Sequence, residues 1–322
     1  MIINGGAYPG FGRLPAIKTP GCIYDKERGG ERMKKLFRLA ALLATVILML
    51  GLGLAGCGQQ AKSPEEKGTV ELGYVQWDSE IASTNVVKKV LEDLGYEVKM
   101  TAVDASPMWL GVSEGNFDGI VAAWLPATHK DYYEKVKDKV ENLGPNLNGA
   151  KIGLVVPQYV TINSIEELNS VKDKFKGGIT GIEPGAGIMK ATETAIKDYG
   201  LDLKLQSSSS AGMAAGLKKA ADNKDWIVVT GWTPHWKFAK WDLKYLEDPK
   251  GVYGGEEHIA TIVRKGLKED KPEVYKVLDN FQWEPADMEK VMLEIQNGAK
   301  PEEAAAKWVK ENTERVNKWT GK

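Results

Sequence analysis

The sequence predicts an α/β protein of two lobes, each built on its own sheet, with a crevice between them. Three observations carry this. Strand-like and helix-like runs alternate over residues 69–124 and alternate again over 177–232. An apolar run at 150–160, broken by Pro157, separates the two series, and the chain from Lys271 onward reads as helices alone. Alternation of this kind is the signature of a parallel sheet with helices on its faces.

The elements follow in order. "TVELGYV" (69–75) is a short β-rich run. Asp78-Ser79 then caps a helix whose apolar positions Ile81, Val87, Val90, Leu91 and Leu94 fall at three-and-four spacing, and Gly95 ends it. "YEVKMTAV" alternates like a strand, a helix spans Pro107 to Ser113, and "DGIVAAW" (118–124) reads as a buried strand. In the second series "GGITGI" (177–182) is a strand and Ile188 to Tyr199 a helix with Ala191, Ala195 and Ile196 inward. Gly200 ends that helix, "LDLKLQ" follows as a strand, 211–223 as a helix and "WIVVTGW" (226–232) as another buried strand. In the tail, Val274, Leu278 and Phe281, then Met288, Val291, Met292 and Ile295, are spaced for core faces. This places one lobe at 69–156 and 264–322 and the other at 157–263.

Charge and cysteine usage exclude several classes of function. With 43 basic and 44 acidic residues, the net charge of −1 offers no footprint for nucleic acid. The two cysteines, Cys22 and Cys57, both precede the folded part, so neither a disulfide scaffold nor thiol chemistry is expected there. "MKKLFRLAALLATVILMLGLGLAGC" (33–57) has the basic start, apolar run and small residues of a secretory signal, expected to occupy 33–56. Residues 1–32 lie ahead of it and read as a mis-set translation start, whereas 57–68 read as a polar tether. Leu54-Ala55-Gly56-Cys57 resembles the lipobox of bacterial lipoproteins, and that resemblance implies a lipid on Cys57. An uncleaved anchor helix is the alternative.

Ten tryptophans are more than packing needs. Trp77, Trp124 and Trp232 each fall at or just past the carboxyl end of an expected strand, where open α/β sheets bind ligands. Three indoles converging on one crevice form a box suited to a cation with no hydrogen to donate, a quaternary ammonium. Trp109, Trp226, Trp236, Trp241, Trp283, Trp308 and Trp319 sit within strand or helix patterns and are expected to pack. "GIEPGAGIM" (181–189) leads from a strand through Gly185 and Gly187 to a helix start, whose free amides suit an anion, here a carboxylate rather than a phosphate. His129, five residues after Trp124, reaches the same crevice. The three histidines are scattered and no zinc spacing, nucleophile elbow or acid pair is found, so neither a metal, a cofactor nor an enzymatic activity is expected.

"GYVQWDSEIASTNVVKKVLEDLGYEV", "AWLPATHKDYY", "GIEPGAGIM" and "TGWTPHWKFAKWDLKYLEDPKGVYG" together resemble the glycine betaine-binding proteins of osmoprotectant ABC importers, from about Val70 onward. The resemblance implies a two-lobed periplasmic-binding-protein fold, type II-like, closing on ligand in the cleft. It implies an aromatic cage at Trp77, Trp124 and Trp232, and carboxylate contacts from the Gly187 and Ile188 amides and the His129 side chain. The implied partners are glycine betaine or a related quaternary ammonium compound such as proline betaine, an ABC permease with its ATPase, and the membrane through the N-terminal lipid. A choline- or carnitine-binding protein of the same fold, or a ligand-sensing lipoprotein without a permease, would share the cage.

Overall fold

The computed structural model describes residues 67–322, so the upstream segment, the signal and Cys57 lie outside the described residues. The first series folds as β1 (Thr69–Tyr74), α1 (Asp78–Asp93), β2 (Glu97–Ala102), α2 (Ala105–Ser113) and β3 (Gly119–Leu125), followed by α3 (Lys130–Val136). β1 pairs in parallel with β2 and with β3. Every residue of β3 is buried, as expected of a strand covered on both faces. α1 ends as its sequence suggests: Gly95 takes φ +97°, Gly95 N–H donates to Glu92 and Tyr96 N–H to Leu91, a Schellman arrangement. Val86, Val87, Val90 and Leu91 bury its inner face, but its first turn is buried too, with Ser79, Glu80 and Ser83 polar and fully covered. Beyond α7 (Leu267–Asp270) and α8 (Pro272–Asn280), α9 (Pro285–Gln296) and α10 (Pro301–Glu311) close over α1.

The second series contains β5 (Gly178–Thr180), α4 (Gly187–Asp198), β6 (Lys204–Gln206), α5 (Ser210–Asn223), β7 (Val229–Thr233) and α6 (Trp236–Lys240). β5 pairs in parallel with β6 and β7.

A strand longer than the sequence suggested joins the two lobes. β4 runs from Val140 to Pro157; its first part, to Ala150, pairs antiparallel with β9 (Glu257–Arg264), and from Lys151 onward it pairs with β7 and with β8 (Leu243–Tyr245). β9 also pairs antiparallel with β3, so both sheets are mixed rather than purely parallel. Residues 140–149 gave no strand signal because the register shifts three times there and Gly144 and Gly149 hold φ of +94° and +80°. Such bulges destroy the period-two alternation on which sequence reading depends. By pairing, the sheets divide at Ala150/Lys151 and again before Glu257, whereas the expected divisions stand at 156/157 and 263/264.

Candidate functional site

Three tryptophans from both sheets meet at one pocket. Trp77 is the N-cap residue of α1, three positions past the end of β1, and Trp124 and Trp232 are the penultimate residues of β3 and β7. Trp124 stands opposite Ile259 of β9, and Trp232 opposite Ile152 of β4. Their exposure is only 6%, 3% and 4%, so each indole is nearly sealed from solvent. His129, Gly187 and Ile188 line the same pocket. Ile152 and Ile182 complete its apolar wall; the sequence reading passed over both. Strand register makes Ile152 part of the wall, and no local pattern carries that.

Two carboxylates accept hydrogen bonds from these indoles. Trp124 Nε1 donates to Glu80 Oε1 at 2.8 Å, and Trp77 Nε1 donates to Glu183 Oε1. The signal for Glu80 was its place one turn into a helix that begins at Trp77. Burial raises the Glu80 carboxyl to about 7, although Trp124, Ser79 and Ser83 hydrogen-bond it and pull the other way. A negative charge behind an indole deepens the potential at its face, which favours a cation in the pocket. Trp232 Nε1 is buried with no partner among the described residues.

The same lining also holds hydrogen-bond donors. His129 is fully buried; its Nδ1 accepts from the Trp124 backbone N–H at 3.2 Å, which leaves the proton on Nε2. That Nε2 is buried and has no partner among the described residues. Burial first, then the nearby Lys190 charge, lower the imidazole to about 3, the Ala122 carbonyl opposing them by less. His129 is therefore a neutral donor at physiological pH. The Glu257 carboxylate orders the loop beneath it, accepting from the Ala127 and Thr128 N–H groups at 2.7 Å each and from the Thr128 hydroxyl. On the facing side, the Ala186 carbonyl accepts from Met189 and Lys190, so the Gly187 and Ile188 amides precede the first intrahelical bonds of α4.

Several contacts tie the first series to the second around this pocket. Tyr132 Oη donates to the Gly185 carbonyl. Asp78 accepts from Trp236 Nε1 at 2.8 Å and from Ser210 Oγ at 3.0 Å, and its carboxylate lies 3.5 Å from His235 Nε2. Burial alone would raise Asp78, but His235, Trp236 and Ser210 together bring it well below the usual carboxylate range. Ser210, the first residue of α5, thus joins the two series through Asp78. Among the other tryptophans, Trp109, Trp236, Trp283, Trp308 and Trp319 are buried, while Trp226 and Trp241 remain half-buried.

Residues 68–311 match the family model "Substrate binding domain of ABC-type glycine betaine transport system". The chain is 63% identical over 145 residues to the glycine betaine/carnitine transport binding protein GbuC of Listeria monocytogenes; the match covers 44% of this chain and spans 48% of that protein, about half its length. Among solved structures, it resembles a lactococcal protein, OpuAC, in a closed conformation complexed with glycine betaine: 52% identity, TM-score 0.76, 79% of this chain and 99% of that one. It also resembles an ABC-transporter choline-binding protein in complex with choline: 29% identity, TM-score 0.74, 79% and 91%.

Proposed function

The chain belongs to the family of substrate-binding domains of ABC-type glycine betaine transport systems, and on that footing we propose that it captures glycine betaine outside the cytoplasm and delivers it to an ABC permease with its ATPase. It acts by binding, not by catalysis. One observation carries the substrate: three buried indoles line a pocket that is also lined by His129, whose Nε2 has no partner among the described residues, and by the first residues of α4.

The two ends of the ligand are served separately. A trimethylammonium group cannot donate a hydrogen bond, so it is held by cation–π attraction, about 0.5–2 kcal/mol per ring face, and by apolar burial. The carboxylate accepts from His129 Nε2 and from the Gly187 and Ile188 amides, at a helix start whose dipole favours an anion. A choline-binding reading shares the cage, but a single hydroxyl satisfies fewer of these donors than a carboxylate does. The cross-lobe contacts of Trp77 with Glu183, Tyr132 with Gly185 and Asp78 with Ser210 support a clamp that closes on ligand.

Calorimetric titration against glycine betaine, proline betaine, carnitine and choline tests this reading. Micromolar or tighter binding of glycine betaine is expected, and no binding of any of the four below millimolar concentration sinks it. For attachment, we read Cys57 as the lipidated mature terminus, on the basic, apolar and Leu-Ala-Gly-Cys order of 33–57. Cys57→Ser should move the protein from the membrane to the soluble fraction; retention at the membrane would make the apolar segment the anchor.

A further inference from the structure

Lys237, the second residue of α6, is wholly buried. Its Nζ has no hydrogen-bond partner among the described residues, although an ammonium carries three donors. What it does have is an aromatic face: Nζ stands 4.2 Å from the centroid of the Trp232 ring, with Phe238 farther off at 5.7 Å. Trp232 lines the pocket and Lys237, standing over that ring, does not. A basic amine against the wall of a cation site has the wrong sign for that site.

The charged and titratable groups around it are few. Asp78 comes from α1 and attracts the ammonium, but it is already shared among Trp236, Ser210 and His235. His235 lies two residues back, its ring 4.8 Å from that of Trp232, and is itself held low by burial and by Lys237. Glu289 on α9 is set against the His235 backbone. On α6 itself, Lys240 lies over Trp236 and Trp241. Burial lowers the Lys237 amine to about 7, with Asp78 pulling the other way, so near neutrality the proton is easily gained and lost.

We propose that Lys237 is a positioning residue acting through Trp232: a quaternary ammonium seated in the cage drives the Lys237 ammonium to release its proton to solvent, and the proton returns when the ligand leaves. The inference rests on the cage reading of the pocket. Two cations against one ring repel each other strongly where water is excluded. The ligand's charge is permanent, so the lysine is the partner that gives way, from ammonium to neutral amine plus a proton to water. Cation capture is thereby weakened in acid and strengthened in mild alkali.

The test is glycine betaine titration of wild type and Lys237→Met between about pH 6 and 8, each in two buffers of different ionisation enthalpy to count protons. Linkage limits one coupled proton to about a tenfold affinity change per pH unit, on the acid side of the lysine's own titration. Wild type should release a proton fraction on binding and tighten with pH. Lys237→Met should bind more tightly than wild type at about pH 6 and lose that share of both the proton release and the slope. Glu80 is the other group a cation would strip of a proton, so both proteins are also compared in a Glu80→Gln background, where Lys237 alone should account for the release. Lys237→Met that keeps the full proton release and slope overturns the role of Lys237 and leaves the cage standing. A wild type that binds no quaternary ammonium removes both.

Discussion

Gly187 and Thr128 approach so closely that a Cβ built on Gly187 would stand 2.2 Å from the Thr128 carbonyl oxygen and 2.6 Å from its Cγ2. Thr128 belongs to the loop after β3 in one lobe and Gly187 opens α4 in the other. The obstacle on the Thr128 side includes backbone, itself pinned by Glu257, so it cannot swing aside. A single missing methyl group thus lets the two walls of the pocket meet.

Gly187→Ala should therefore hold the walls apart. Alanine is the better helix former, so the melting temperature should not fall on helix grounds. Glycine betaine affinity should drop by tenfold or more, and solution scattering should show a larger radius of gyration at saturating ligand than wild type gives. Wild-type affinity with wild-type compaction would show that this contact does not limit closure.

The donors in the pocket lining make a second, sharper prediction. His129→Ala removes a hydrogen bond to a buried anion, which costs roughly 1–3 kcal/mol for glycine betaine. Choline lacks the carboxylate and should lose much less, so the preference between the two narrows. Trp124→Ala should weaken both ligands alike, because they share the trimethylammonium head. Parallel titrations of the two variants decide it: unchanged glycine betaine binding in His129→Ala means the carboxylate lies elsewhere.

Acid stability should expose the buried groups. His129 and His235 are lowered from 6.5 to about 3 and about 4. Between pH 6.5 and 4 the unfolded chain therefore binds protons that the folded one does not, and stability falls on acidification. Glu80, raised from 4.5 to about 7, opposes this, since the folded state keeps its proton between those values and the unfolded state does not. In Glu80→Gln the opposition is gone, and stability should fall more steeply between pH 6.5 and 4.5, by up to about 1.4 kcal/mol per pH unit. Urea midpoints at three pH values across the window measure the two slopes; equal slopes would mean that Glu80 keeps an ordinary carboxyl in the folded protein.

What the sequence determined by itself is local. Three-and-four spacing marked α1, with Gly95 as its end, because a helix and its cap are written in residues a few positions apart. Strand ends singled out Trp77, Trp124 and Trp232, and the turn through Gly185 and Gly187 marked a helix start, because each depends on the same short range; the Gly187 and Ile188 amides themselves were implied by the family resemblance. Tertiary structure decided the rest. Glu183 reaches Trp77 across 106 positions, Glu80 reaches Trp124 across 44, and Gly187 meets Thr128 across the cleft. Lys237 is only five residues from Trp232, yet its position over that ring depends on how α6 turns back against β7. β4 joins both sheets through bulges that erase its alternation. These contacts arise from register and from which elements are brought together, and a chain pattern with a period of two or 3.6 residues has no means of recording a neighbour that only folding supplies.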